Sequence, residues 1–249
     1  MFFRRKCVIL QDMRQFNDIS WVWFDLDDTL WDFRRNSREL LAAIYHERGF
    51  SRWFATEREW VDRYEAHNHR LWREFSAGNI DSAFLRADRF RHPLAEAGCR
   101  SADEESRFLD GHYLDRLGRM SRLVSGAREL LAGLRSRSYK IGILSNGFTR
   151  VQHCKLQTSG LDSLVDAVVL SDDAGVAKPD RRIFEYARQK AGVSPGSCLM
   201  VGDNPDTDIA GALAAGWHAA LFSPDGDKIL PEGACEVADL GQIGYILSD

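Results

Sequence analysis

The segment "WVWFDLDDTL", Trp21 to Leu30, decides how the rest of the chain is read. Four bulky apolar residues, Trp21 to Phe24, are followed at once by Asp25, and Asp27 and Asp28 come before Thr29. An apolar run of this kind that stops on polar residues is the pattern of a strand buried on both faces. Three carboxylates crowded at its end repel one another unless a positive charge offsets them. Alternate residues of an extended chain share a side, so Asp25 and Asp27 point one way and Leu26 the other.

The second half of the chain repeats the pattern. "YKIGILSN" (Tyr139 to Asn146), "VDAVVLS" (Val165 to Ser171), "SCLMVGD" (Ser197 to Asp203) and "HAALFS" (His218 to Ser223) are predicted strands. Helical stretches separate them. "ARELLAGLRSR" sets Leu130, Leu131 and Leu134 on one face, and "DRRIFEYARQKAG" runs from an Asp180 N-cap to a stop at Gly192. "TDIAGALAAG" carries small apolar residues suited to close packing on a sheet. Apolar strands alternating with helices predict an α/β fold: a doubly wound parallel sheet covered on both faces.

Residues 33–119 differ. "SRELLAAIYHERGF", "EREWVDRYEAHNHRLWREFSAG" and "DSAFLRADRFRHPLAEAG" are charged and helical in period. One apolar stripe is Leu40, Leu41, Ile44 and Tyr45, and a second is Trp60, Tyr64, His67, Leu71, Trp72 and Phe75. A helical module is therefore expected at 33–119, inserted into an α/β core of 19–32 and 120–249. Residues 1–18 read as an N-terminal arm and a candidate for disorder: 1–12 fit no element, and Met13 is an alternative start.

Bulk properties narrow the function. A net charge of −4 over 249 residues argues against binding polymeric nucleic acid, which needs a basic face. No apolar run reaches the roughly 18–20 residues of a membrane span. The patch from Cys7 to Leu10 is too short for a signal peptide. Five scattered cysteines without CxxC spacing suit a reducing compartment, and the expected location is the cytoplasm.

In an open parallel sheet, ligands bind beyond the carboxyl ends of the strands. The predicted strand ends carry Asp25, Asp27 and Asp28; Ser145, Asn146 and Gly147; and Asp203, Asp206 and Asp208, while Lys178 follows the strand that ends at Ser171. Oxygen donors of this kind select Mg²⁺. Lys178 and the helix start after Gly147 suit a phosphate. Metal, lysine and phosphate cradle beside a carboxylate describe a phosphoryl-transfer site.

These residues, Asp25-x-Asp27-x-Thr29, Ser145-Asn146, Lys178-Pro179 and Gly202-Asp203-x-x-x-x-Asp208, resemble the four motifs of the haloacid dehalogenase-like (HAD) hydrolase superfamily. The resemblance runs from about Ser20 to Phe222, and the inserted module resembles that superfamily's helical cap. It implies a Rossmann-like core and a set of roles. Asp25 would be the nucleophile that becomes an aspartyl-phosphate, and Asp27 the acid and base, with its main-chain carbonyl on the metal. Ser145, Asn146 and Gly147 would bind phosphate with Lys178, which also offsets charge on Asp25. Asp203 would be a second metal ligand, and Asp208 would orient the metal's surroundings. Thr29 is expected to brace the loop through a hydrogen bond to backbone, Asp28 to lie outside the chemistry and Asp206 to cap the following helix. Asp172 and Asp173 are candidates to tune Lys178 or to reach the metal through water.

Asp27 favours phosphate esters, since the dehalogenase branch lacks it and a departing halide needs no proton. "SNGFTRVQHCKLQTSGL", "SDDAGVAKPDRRIFEYA" and "LWREFSAGNI" are similar to the branch of house-cleaning pyrimidine 5′-nucleotidases. A nucleobase would stack on Trp72, Phe75, Phe84 or Arg86 of the cap, or on Phe148 of the core. The expectation is a Mg²⁺-dependent nucleoside monophosphate phosphatase, monomeric or homodimeric, acting on a small phosphorylated metabolite. A phosphatase of sugar phosphate or phosphoglycolate, a phosphomutase and a non-catalytic phosphoryl-binding regulator are the alternatives; Asp25 and Asp27 speak against the last. Phosphonatase chemistry needs a cap lysine, and no lysine occurs between Trp31 and Met120.

Overall fold

The structure is a computed structural model that describes Phe16 and residues 18–247. The expected arm at 1–18, the alternative start at Met13 and Cys7 lie almost wholly outside the described residues. The chain divides into two compact units, one of residues 1–32 and 122–249, the other of Phe33–Ser121.

In the first unit the elements run β1 (Trp21–Phe24), α5 (Ala127–Ser136), β2 (Lys140–Ser145), α6 (Thr149–Ser159), β3 (Ala167–Leu170), α7 (Ser171–Ala174) and α8 (Arg181–Ala191). They continue with β4 (Cys198–Gly202), a π-helical turn (Pro205–Ile209), α9 (Ala210–Ala214), β5 (His218–Phe222), β6 (Cys235–Val237) and α10 (Gly241–Ile246). The four α-helices between β1 and α5 belong to the other unit. Among the described residues the six strands form one sheet in the order β3-β2-β1-β4-β5-β6, every neighbouring pair parallel. The doubly wound reading holds. The strand β6 was not predicted from sequence, because "CEV" is three residues long and lacks an apolar run.

β1 is central because it is apolar throughout; Val22, Trp23 and Phe24 are fully buried. On one face Trp23 packs with Ile183 and Phe184 of α8, Met200 and Trp217. Trp23 and Trp217 lie 6.0 Å apart between ring centroids, and Phe184 meets Trp217 edge-on at 5.4 Å. Aromatic pairs at such spacing add to the stabilisation from apolar burial. The expected N-cap at Asp180 is present: its side chain accepts the Arg182 N–H, and Gly192 ends α8 at φ 71°.

In the second unit the elements are α1 (Phe33–Glu47), α2 (Glu57–Ser76), α3 (Ser82–Glu96) and α4 (Ala102–Gly118). Thr56 caps α2 and Asp81 caps α3, each accepting a main-chain N–H three residues on. Leu40, Leu41, Ile44, Tyr45, Trp60, Tyr64, His67 and Leu71 are buried, whereas Trp72 and Phe75 are half-buried. Trp60, Tyr64, Phe90 and Tyr113 stack into one aromatic centre, with Tyr64 and Phe90 centroids 4.8 Å apart. Among the described residues no helix is long and apolar enough to cross a membrane.

Candidate active site

Strand register brings the site together. Phe24 lies opposite Ile143 on one side and Val201 on the other, so Asp25 comes level with Leu144, next to the end of β2, and with Gly202 at the end of β4. The Asp25 N–H extends the ladder to Val201 O at 2.9 Å. The buried Asp25 side chain meets the ammonium of Lys178, 2.6 Å from Oδ1. Lys178 Nζ also lies 2.7 Å from Asp208 Oδ1 and 2.7 Å from the Leu144 carbonyl. An ammonium has three N–H groups, and all three have acceptors here. Asn146 clamps the Lys178 main chain, accepting its N–H at Oδ1 (2.7 Å) and donating from Nδ2 to its carbonyl (2.9 Å). The Lys178–Pro179 peptide is cis.

From the end of β4, Asp203 turns toward the same point. The carboxylates of Asp25, Asp203 and Asp208 each place an oxygen within 4.8 Å of the others. Asp208 is buried, and its Oδ2 accepts the Asn204 N–H at 3.0 Å. It crosses directly over Gly202, where an added Cβ would collide with its carboxylate, so the residue before Asp203 has to be glycine. Lys228, on the loop after β5, donates to the Asp203 carbonyl (2.6 Å) and to Oδ2 (3.0 Å).

Asp27 is held by α6. Lys155 Nζ lies 2.6 Å from its Oδ1, and Gln152 Nε2 donates to its Oδ2 at 2.9 Å. Gln152 Nε2 also donates to Ser145 Oγ at 2.8 Å, and the Gly147 N–H reaches the same oxygen at 3.3 Å. The Ser145 hydroxyl therefore accepts twice from protein and keeps its proton to donate.

The charges form a pattern. Lys178 serves Asp25 and Asp208, Lys155 serves Asp27 and Lys228 serves Asp203, so four carboxylates face three ammonium groups. Burial above all holds the Asp25 carboxyl well above the usual carboxylate range; Lys178 works against this, while Asp208, Asp203 and Asp27 add to it. Asp203 is raised in the same way, first by burial and then by Asp208. Burial works against the Lys178 charge, yet Asp208 and Asp25 hold that ammonium above the ordinary lysine range. The ionised cluster lacks positive charge, and its donors are oxygens. Both properties fit a hard divalent cation such as Mg²⁺.

Several expectations are corrected. Thr29 does not brace the loop through a hydrogen bond: its Oγ1 is buried and finds no partner among the described residues. Asp206 does not cap the helix after β4. Asn204 does, accepting the N–H groups of Asp206 and Thr207 at 3.0 and 3.1 Å, because the chain enters through a π turn that begins one residue earlier. Asp172 accepts from Thr149 Oγ1 at 2.6 Å and Asp173 from the Leu170 N–H at 3.1 Å, and neither is among the Lys178 partners described above. Asp28 adopts φ 57°, a left-handed conformation that Asp tolerates better than most residues. Of the candidate stacking residues, Phe84 is 49% exposed, Arg86 is paired with Asp110 at 2.6 Å and Phe148 is half-buried at the start of α6.

Sequence reasoning missed Gln152, Lys155 and Lys228. For the first two the mark is burial, which the structure supplies: they share the buried stripe of α6 with Val151, Leu156 and Ser159, where an amide and an ammonium need partners. Lys228 sits in a polar loop and carries no such mark.

Residues 19–216 match the family model described as haloacid dehalogenase-like hydrolase. The chain is 34% identical over 217 residues to the pyrimidine 5′-nucleotidase YjjG of Escherichia coli, covering 85% of this chain and 91% of that one. It is 31% identical over 206 residues to the pyrimidine 5′-nucleotidase PynA of Streptococcus pneumoniae, covering 82% and 84%. Among solved structures it resembles YfnB from Bacillus subtilis bound to magnesium, with a TM-score of 0.83, 26% identity and coverage of 92% and 98%.

Proposed function

The chain belongs to the haloacid dehalogenase-like hydrolase family, and from that premise we propose a Mg²⁺-dependent phosphatase that works through an aspartyl-phosphate. Its substrates are small phosphomonoesters, with pyrimidine nucleoside 5′-monophosphates as the class. The observation that carries the reading is the placement of Asp25 against Lys178, with Asp27 two residues on and held at both oxygens.

The residues divide the reaction as follows. Lys178 occupies Asp25 Oδ1, which leaves Oδ2 to attack phosphorus. As that bond forms, the bond from phosphorus to the alcohol oxygen breaks, and Asp27 gives that oxygen its proton. Asp27, now a carboxylate, then takes a proton from water as the water oxygen attacks phosphorus. The bond to Asp25 breaks and inorganic phosphate leaves. Ser145 donates its hydroxyl hydrogen to a phosphoryl oxygen, because its lone pairs already accept from Gln152 and Gly147. Lys178 offsets negative charge on the transferring group.

Asp25 and Asp203, with the main-chain carbonyl of Asp27, would hold the metal. Asp208 has its oxygens on Lys178 and Asn204, and so supports the ion's surroundings. When bound, Mg²⁺ supplies the charge that lets a carboxylate approach a phosphate dianion.

Similarity to two pyrimidine 5′-nucleotidases supports the substrate class. The test is phosphate release from UMP, dTMP, sugar phosphates and phosphoglycolate. Pyrimidine nucleotides are expected to be cleaved with the highest kcat/KM. Much faster cleavage of a sugar phosphate would remove the nucleotidase reading, and phosphate returned to substrate would make the enzyme a mutase.

A further inference from the structure

The geometry points to Lys155 and Gln152 as positioning residues that aim Asp27 at the leaving-group oxygen and lock it to Ser145. The inference rests on the proposed phosphatase reading, in which Asp27 protonates that oxygen.

Both side chains are buried to a degree unusual for their type. Gln152 is fully buried and Lys155 is 2% exposed. They lie three residues apart on α6, and so share one face of the helix. Each takes a different oxygen of Asp27, at 2.6 Å from Lys155 and 2.9 Å from Gln152. A carboxylate held at one oxygen can still swing about its χ angles, whereas one held at both from a rigid helix has a single orientation.

Gln152 does more than hold Asp27. Its nitrogen bridges Asp27 Oδ2 and Ser145 Oγ, so the acid and the phosphate-binding hydroxyl are set against each other by one amide. The amide donates from Nε2 to both oxygens, while Oε1 is buried and finds no partner among the described residues. The main chain makes room for this bridge. A Cβ at position 147 would collide with the Gln152 side chain, so Gly147 is required by the close approach of Gln152. Lys155 is fixed from a second direction, with its ammonium 4.5 Å from the centroid of the Trp31 ring. Trp31 stands in the same turn as Asp27 and pairs with it through an isolated bridge.

A general acid matters most when the leaving group is a poor one. Phenoxide and alkoxide need a proton as they depart, and p-nitrophenolate does so far less. The test measures kcat and KM for p-nitrophenyl phosphate, phenyl phosphate and UMP in the wild type, Lys155→Met, Gln152→Met and Asp27→Asn, with the metal present. General acid–base catalysis contributes roughly 10²–10⁴-fold, and misaiming Asp27 should remove part of it. Lys155→Met and Gln152→Met are each expected to lose on the order of 10- to 100-fold in kcat/KM, which reports the step in which the ester oxygen departs, for phenyl phosphate and UMP, and only a few-fold for p-nitrophenyl phosphate. kcat falls for all three esters wherever the shared hydrolysis of the aspartyl-phosphate limits turnover, because Asp27 is also the base of that step. Lys155→Arg, which keeps a donor, should regain part of the phenyl phosphate rate.

An equal loss of kcat/KM for all three esters in both Met variants would mean a purely structural role and would overturn the inference. So would full phenyl phosphate activity in both variants while Asp27→Asn shows the leaving-group pattern. If Asp27→Asn itself shows no such pattern, the role of Asp27 in the proposed mechanism fails instead. Should Lys155→Met not fold, as judged by near-UV circular dichroism, Gln152→Met decides alone.

Discussion

The ammonium of Lys178 reaches Asp25 across 153 residues of chain and sits 2.6 Å from its Oδ1, with Asp208 on its other side at 2.7 Å. The lysine is 2% exposed, and Asp25 is buried with it. Removing one partner of a buried ion pair leaves an uncompensated charge and is strongly destabilising. Lys178→Met is expected to lose about 3–5 kcal/mol in urea unfolding of the metal-free protein. Adding Asp25→Asn should recover part of that loss, because one of the stranded charges goes with it. Simple additivity of the two single variants would show that the pair is not coupled.

Mg²⁺ should stabilise the folded protein. Burial and neighbouring carboxylates hold Asp25 and Asp203 above the usual carboxylate range, so their ionised forms oppose folding until a cation arrives. Thermal melts in EDTA and at increasing MgCl₂ should show a rise in Tm. At a concentration 100-fold above Kd the expected gain is about 2.7 kcal/mol. Asp203→Asn should lose most of the shift; an unchanged shift in that variant would place the ion elsewhere. EDTA should also stop turnover and Mg²⁺ restore it.

Asp25→Asn is expected to abolish phosphate release, since an amide cannot form the acyl-phosphate. The variant should fold, with a far-UV spectrum like that of the wild type. Wild-type rates in this variant would mean that another group attacks phosphorus.

Gly202→Ala should be costly at a position with no positive φ. The new Cβ would overlap the Asp208 carboxylate, which is itself bonded to Lys178 and to the Asn204 N–H. Inserting a methyl into such a site costs about 1–3 kcal/mol. Both the urea midpoint and kcat should fall; an unchanged kcat would show that Asp208 can move without consequence for Lys178.

In the helical unit, stability should fall as the medium is acidified. His67 is buried; its Nε2 lies 2.9 Å from Asp88 Oδ2, Arg70 lies 2.6 Å from its Nδ1, and the His92 ring stacks on it at 4.2 Å. Burial first, and the His92 charge second, push its pKa below the ordinary 6.5. Below pH 6.5 the unfolded chain takes up a proton that the folded one refuses, so the contribution is complete above that value and is lost as the pH falls below it. Denaturant midpoints at pH 7.5 and 5.5 should differ less in His67→Gln than in the wild type. His218, also depressed by burial, leaves a remainder in the variant. Equal pH slopes for the two proteins would rule out His67 as a source.

Much of the site could be read before any coordinates, for a reason particular to this fold. Parallel strands are apolar runs, and their polar endings are adjacent in sequence, so Asp25, Ser145 and Asp203 announce both the strand and the edge on which it ends. Lys178 was legible through its neighbour Pro179 and the helix that follows. The support of Asp27 was not. Gln152 and Lys155 look like ordinary polar positions of a helix until the burial of that face is known. Thr29 and Asp206 depart from expectation because local spacing does not fix a partner: the Thr29 hydroxyl has none among the described residues, and Asn204 takes the cap expected of Asp206.

The strands themselves, the limits of α8 at Asp180 and Gly192 and the kinds of donor at the sheet edge are written in runs of adjacent residues, and short-range periodicity is enough to recover them. The distances that make those donors a site are not. Gln152 meets Asp27 across 125 positions, Lys155 meets it across 128 and Lys228 meets Asp203 across 25. Those meetings depend on which strands neighbour one another and in what register. Packing of the whole sheet sets that register, and a charge can be partnered at 2.6–3.0 Å only after it is set.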